Sequence, residues 1–454
     1  MFKTKQTSNV ERQYYRKKQT KSFFSGCLLL CNLFLISGFL HAASLRTHDY
    51  HIAINSELTR AVVKICFDGQ APAYLVAGSR KATKNILQFP TADKGFIEFQ
   101  GGYWKTQALA KDSCIRYHAD ISEHKQQKRS RRHRPELLNF MSENTWLWLP
   151  EKLTDNETVE IEFDLKPNYR VSAPWTLLDH KGYKYRLGKA PHEWGFTLVI
   201  GDFKLQTVTL DSGARLNIAL LNPLKQKGNL KNWLVSTADT LSQYLGYFPR
   251  QQLQVVLIEN RRFGDAPVPW GDVKRGGGTA IRFVVNSSQP IEKFYQDWTA
   301  THEFSHLLLP SLEYRDCWLS EGLSSYLQYL LMVESKQLNE VQAWQGLYDG
   351  FNRGLKGTQN TPSEKLMDTA VNRKKGERSG RTKRLYWSGA IYFLKADLEL
   401  RKASQGKMSL AQVLSQLNKC CVNEEKEWSG LALARQLDEL SATQIFSNLY
   451  REMS

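Results

Sequence analysis

His302, Glu303 and His306, within Thr301-His-Glu-Phe-Ser-His-Leu307, form an H-E-x-x-H pattern, and Glu321 follows fifteen positions later in Trp318-Leu-Ser-Glu-Gly-Leu-Ser-Ser-Tyr326. On a helix, positions i and i+4 share one face, so both imidazoles can reach one cation, and the glutamate beside the first histidine can reach a zinc-bound water. A second helix carrying Glu321 would complete three protein donors and leave one position open, the arrangement of a catalytic zinc site. The competing reading is an amphipathic core helix over 291–309 with two incidental buried histidines. With only ten histidines in 454 residues, the pattern favours the site. Pro310 cannot continue a helix interior, so the helix is expected to end within about one turn of His306 and the chain to turn early toward Glu321.

The segment Trp318-Leu-Ser-Glu-Gly-Leu-Ser-Ser-Tyr-Leu-Gln-Tyr-Leu330 resembles the W-L-N-E-G-F-A-S-Y segment of the gluzincin metallopeptidases of the aminopeptidase N family and, more distantly, the glycyl aminopeptidases. In that family eighteen residues separate the second histidine from the third ligand; here there are fourteen. The deficit of four is about one helical turn. It falls where Pro310 stops the first helix, so Glu321 is expected to stay on the metal-facing side of its own.

Downstream, Leu385-Tyr-Trp-Ser-Gly-Ala-Ile-Tyr-Phe-Leu394 is similar to the family's Y-x-K-G-A segment. The resemblance implies that Tyr386 aims its hydroxyl at the oxyanion formed during attack on the carbonyl. Upstream, Leu234 to Ile258 resembles the helix, turn and strand that open the family's catalytic domain, and Gly276-Gly-Gly-Thr-Ala-Ile-Arg-Phe283 falls where the family has its G-A-M-E-N strand. The glutamate of that motif, which grips the substrate's amino group, is missing. Asp272 or Glu259 could replace it, against ordinary loop and strand-end roles for both, and Thr279 to Val285 is expected as an edge strand able to hold an extended peptide. The resemblance thus implies one zinc ion on His302, His306 and Glu321, Glu303 as general base, and a peptide substrate. Asp316 and Glu313, in the short connection, are candidate acceptors for the second nitrogens of the histidines.

The elements that must position these residues divide the chain. Residues 1–43 join a basic stretch, Lys3 to Lys21, to an apolar run, Phe23 to Leu40, and then small residues, the form of a secretory signal or an uncleaved anchor. The catalytic part is therefore expected outside the cytoplasm, in the periplasm or on the outer face of the inner membrane, with membrane association through that apolar run. From 44 to 225, short alternating runs such as Tyr50–Ile54, Ala61–Phe67, Thr158–Phe163, Phe196–Ile200 and Leu205–Leu210 predict an antiparallel β domain. From 226 to 454, helical periodicities dominate, and the resemblance implies a thermolysin-like, mainly helical domain with a small strand region. The fold class is α+β. Ala390–Leu400 and Leu410–Leu417 are expected to close the back of the helical domain.

Seven cysteines include Cys27 and Cys31 in the leader. Cys66 and Cys114 could form a disulfide in an oxidising compartment or remain free thiols. The adjacent Cys420 and Cys421 are not expected to bridge one another, which leaves an odd thiol. Net charge is +17, and the leader's seven Lys/Arg and one Glu leave 17 − 6 = +11. The runs Lys125–Arg134 and Arg373–Arg384 carry much of it. The second ends two residues before Tyr386 and could rim the cleft, favouring acidic substrates or a peptide carboxylate. No nucleic-acid motif accompanies either run, and no nucleic acid is expected as partner. The alternative function is a non-catalytic cationic envelope protein that binds anionic polymers or a membrane surface on a degenerate peptidase scaffold.

Overall fold

The computed structural model describes residues 45–79, 81–122, 138–142, 145–179, 181–221, 224–260, 264–359, 363–375, 380–422 and 425–454. The expected leader 1–43 and the basic run Lys125–Arg134 lie outside them. Among the described residues no helix is long and apolar enough to cross a membrane.

The first half is strand-rich: β1 (Arg46–Ile54), β2 (Arg60–Cys66), β3 (Tyr74–Val76), the single helical turn α1 (Lys81–Lys84), β4 (Ile86–Ala92), β5 (Glu98–Gln100), β6 (Tyr103–Lys105) and β7 (Cys114–Asp120). Next come β8 (Leu138–Ser142), β9 (Leu149–Pro150), β10 (Glu157–Asp164), β11 (Arg170–Ser172), β12 (Thr176–Asp179), β13 (Lys184–Arg186) and β14 (Thr197–Gly201). These form sheets in the orders β12-β13-β10-β1-β2-β7-β4, β5-β6-β3-β9 and β11-β14-β8. Period-two alternation drives them: in β2, Ala61, Val63 and Ile65 point into the core while Arg60 and Lys64 stay outside. The core between the sheets is aromatic, with Trp104 stacked on Trp148 at 4.2 Å. The expected antiparallel character holds for most ladders, but β1 pairs with β10 in parallel. That long-range pairing leaves no mark in local alternation. Cys66 and Cys114 face each other across β2 and β7 and are joined.

A five-stranded sheet follows, β15 (Lys204–Thr209), β16 (Arg215–Leu220), β17 (Gln252–Glu259), β18 (Trp270–Lys274) and β19 (Ala280–Val285), in the order β15-β16-β17-β19-β18. It spans the expected 225/226 division, because β15 pairs with β16 and β16 with β17 downstream. The order also corrects the expectation for Thr279–Val285: β19 lies between β17 and β18, and the sheet edge is β18. The glycines before β19 have another use. Gly277 and Gly278 adopt positive φ, and a Cβ on Gly278 would lie 2.1 Å from the Pro174 carbonyl oxygen. Gly276 donates its N–H to Gly195, and its carbonyl accepts from the Trp175 indole. The turn thus fastens the five-stranded sheet to the β region.

The helices are α2 (Lys227–Leu245), α3 (Ile291–Gln296), α4 (Thr299–Ser305), α5 (Cys317–Glu334), α6 (Glu340–Thr358), α7 (Leu366–Lys374), α8 (Arg381–Ala403), α9 (Leu410–Cys420), α10 (Gly430–Ser441) and α11 (Ile445–Met453). The single helix expected over 291–309 is broken. Asp297 is extended, and its carboxylate accepts the N–H of Thr299, ending α3 and starting α4 anew. Leu400 in α8 and Leu410, Val413, Leu414 and Leu417 in α9 are buried in the helical core, closing its back as expected. Cys420 and Cys421 are bonded to each other, correcting the expectation that they stay apart; Cys421 leaves helical geometry at the end of α9. Among the described residues the free thiol is Cys317.

Candidate metal centre

Helix α4 carries His302 and Glu303, and His306 opens a 3-10 turn over His306–Leu308. Leu309 is extended and Pro310 follows, so the helix stops where the sequence requires it. Its last carbonyls would be orphaned. The Arg275 guanidinium donates to His306 O at 2.6 Å and Leu309 O at 3.3 Å, and the Asn418 amide donates to Leu308 O at 2.7 Å. The connection then passes a second 3-10 turn, Tyr314–Asp316, straight into α5 and Glu321.

The link brings Glu321 to the two histidines. Oε2 of Glu321 lies 3.3 Å from Nε2 of His302 and 3.6 Å from Nε2 of His306. Donor atoms of the three residues all lie within 4.8 Å of one another. Ligands of a tetrahedral zinc at about 2.0–2.2 Å would be roughly 3.3–3.6 Å apart, so the donor types and their spacing fit that ion.

Each imidazole is turned toward this point by its other nitrogen. Nδ1 of His302 is 2.9 Å from Oε1 of Gln328, and Nδ1 of His306 is 2.9 Å from Oγ of Ser320. Both partners stand on α5 beside Glu321, one residue before it and two turns after. The candidates Asp316 and Glu313 do not take these roles. Asp316 is buried and accepts from the Gly430 N–H and the Tyr450 hydroxyl, while the Glu313 carboxylate lies near Arg315. Gln328 is buried two turns after Glu321, and because α5 also buries Ser324 and Ser325 the sequence does not single it out.

Glu303 is buried, with its carboxylate 4.0 Å from Nε2 of His306. Burial, reinforced by the charges of Glu321 and Asp272 and opposed by His302, pushes its carboxyl up to about 8. Burial would also raise Glu321. The hydrogen bond from His302, the charges of both histidines and the Tyr386 hydroxyl instead hold it down to about 2. Tyr386, on the second turn of α8, stacks over His302 with centroids 5.8 Å apart and planes within 10°. Burial and the neighbouring Glu321 raise its phenol, so the hydroxyl stays protonated and donates to Glu321.

The acids considered for gripping an amino group are already engaged. Asp272 is paired across the ladder with Arg282, which donates to both of its oxygens, and Glu259 accepts from the N–H and hydroxyl of Ser287. In the basic run near Tyr386, Arg381 and Arg384 bind Glu364, and Lys374 lies over the Tyr314 ring at 4.7 Å. Residues 376–379 of the run lie outside the described residues.

No family model matches the chain, and no curated protein matches it. Solved structures do. An aminopeptidase N family protein from Idiomarina loihiensis is similar at TM-score 0.64 and 15% identity, over 86% of this chain and 73% of that one. An M1 zinc metallopeptidase from Deinococcus radiodurans, solved as a glutamate-to-alanine variant bound to a Tyr-Ser-Ala substrate, is similar at TM-score 0.55 and 14% identity, over 90% and 94%. At these identities the likeness is one of fold: an α+β architecture in which an N-terminal β region precedes a helical domain, as in the M1 zinc metallopeptidases.

Proposed function

We propose that this chain is a zinc-dependent metallopeptidase that hydrolyses peptide bonds of exported or surface peptides. The observation that carries the reading is the convergence of His302, His306 and Glu321 on one point, with Glu303 and Tyr386 on either side. Zinc held by these three side chains would supply Lewis acidity, polarising the scissile carbonyl and making water nucleophilic near neutral pH.

The remaining chemistry belongs to the chain. Glu303 is buried with its carboxylate 4.0 Å from Nε2 of His306, where it can accept a proton from the attacking water and pass it to the departing amine. Tyr386, held protonated by burial, donates to the oxygen that gains charge. Edge strand β18 runs beside Glu303: a Cβ on Gly271 would lie 2.6 Å from Glu303 Cγ. Its outer backbone edge is available to an extended peptide, the kind of ligand in the Deinococcus relative's structure.

The test is zinc analysis of purified protein together with digestion of a peptide library, with and without a chelator. One zinc per chain and cleavage that the chelator abolishes and zinc restores are expected. Protein free of zinc that cleaves nothing after zinc is added would overturn the reading. The library also reveals whether a free amino terminus is required.

A further inference from the structure

Arg373 is a half-buried cation at the candidate centre that none of the proposed steps uses. It lies in the last turn of α7, which packs against the Tyr314–Asp316 turn and the helices carrying Glu321 and Tyr386. Its guanidinium interacts electrostatically with Tyr314, Cys317, Tyr386 and Glu321, and the same interaction acts on Cys317 and Tyr386 in return. Its Nη1 is sealed from solvent and has no hydrogen-bond partner among the described residues, although the residue as a whole stays partly exposed.

The contrast with its neighbours in the same basic run is sharp. Arg381 and Arg384 close on Glu364, and Lys374 covers the Tyr314 ring. Of the four groups named around Arg373, three are neutral when protonated, and Glu321 is the acid that the proposed zinc would claim. A half-buried guanidinium with no hydrogen-bonded anion among the described residues is costly, and such cost is kept where a ligand offsets it. The planar fork of arginine is matched to a carboxylate.

We infer that Arg373 anchors a carboxylate of the peptide substrate beside the scissile bond, making the preferred substrates peptides that carry a negative charge close to the cleaved position. The inference rests on the peptidase reading and narrows it. The charge has two possible sources, a free carboxyl terminus or an Asp or Glu side chain, and one experiment separates them.

Glu303→Gln protein loaded with zinc binds peptides without turning them over, so affinity is measured directly by calorimetry. Ala-Ala-Ala is compared with its carboxamide, and Ala-Glu-Ala amide with Ala-Gln-Ala amide. The carboxylate member of one pair is expected to bind roughly tenfold to a hundredfold more tightly, the usual range for a charge-assisted hydrogen bond. The responding pair identifies the source. Adding Arg373→Gln should reduce that ratio to within about twofold while the carboxamides bind as before, which excludes a misfolded variant, and Arg373→Lys should recover part of it. A ratio near one in the parent protein, or one unchanged by Arg373→Gln, overturns the inference while leaving the peptidase reading intact. If no peptide binds and native protein cleaves none, both are overturned.

Discussion

Gly322 and Gly389 meet backbone to backbone where α5 crosses α8: a Cβ on Gly322 would lie 2.3 Å from the Gly389 Cα, and one on Gly389 would lie 2.0 Å from the Trp318 carbonyl oxygen. One glycine directly follows the third candidate ligand, and the other lies three residues after Tyr386. The close crossing therefore sets the distance between the acid and the phenol.

A methyl group at this crossing should act on both stability and chemistry. Gly389→Ala recovers about 1 kcal/mol of helix propensity but forces backbones apart, an overpacking cost of about 1–3 kcal/mol or more. The expected result is a lower melting temperature and a loss of peptide turnover larger than the loss of zinc affinity, because Tyr386 moves with α8. Turnover, zinc affinity and melting temperature measured on one preparation distinguish this from simple unfolding.

The catalytic assignments separate metal binding from proton transfer. Glu303→Gln should retain one zinc per chain and lose about 10²–10⁴-fold in turnover, the range for a general base. His302→Ala and Glu321→Ala should lose the metal itself, with activity following. Metal content and kcat on the three variants provide the check, and undiminished turnover in Glu303→Gln would remove Glu303 from the mechanism.

The roles of Gln328 and Ser320 lead to a weaker effect of the same kind. Gln328→Leu leaves Nδ1 of His302 without its 2.9 Å partner, and Ser320→Ala does so for His306. Each should reduce zinc affinity by about 10–100-fold while the fold persists. Competition with a chromophoric chelator measures this directly, and an unchanged affinity would mean that backbone packing alone orients the rings.

How much of this was legible in the sequence follows from the range of each signal. The residues converging on the centre were legible because H-E-x-x-H is a local pattern on consecutive helical turns, and because Pro310 ends that segment within the short link to Glu321. Gln328 and Ser320 were missed because a histidine's second acceptor is defined by which helix packs opposite, not by spacing. The edge strand was misassigned for the same reason: only the sheet order shows that β19 is interior and β18 is the edge. The break in the metal helix had a local cause, the Asp297 side chain capping Thr299, yet the surrounding apolar periodicity continued through it.

A pH dependence arises far from the candidate centre, at His48 in β1. The ring is fully buried, its Nδ1 accepts the Asp68 N–H, its Nε2 lies 3.5 Å from Glu157, and it meets Phe67 edge-on. Burial lowers its affinity for a proton, aided by Arg46 and opposed by Glu157. The unfolded chain, with an ordinary histidine near 6.5, therefore binds a proton more readily than the folded one. The stability this group contributes is complete above pH 6.5 and is lost as pH falls through that value toward the lower folded one. Denaturant midpoints should fall between pH 7.5 and 5.5, and His48→Phe, which keeps an aromatic ring against Phe67, should flatten the fall in that window. An equally steep profile in the variant would assign the acid sensitivity to other groups.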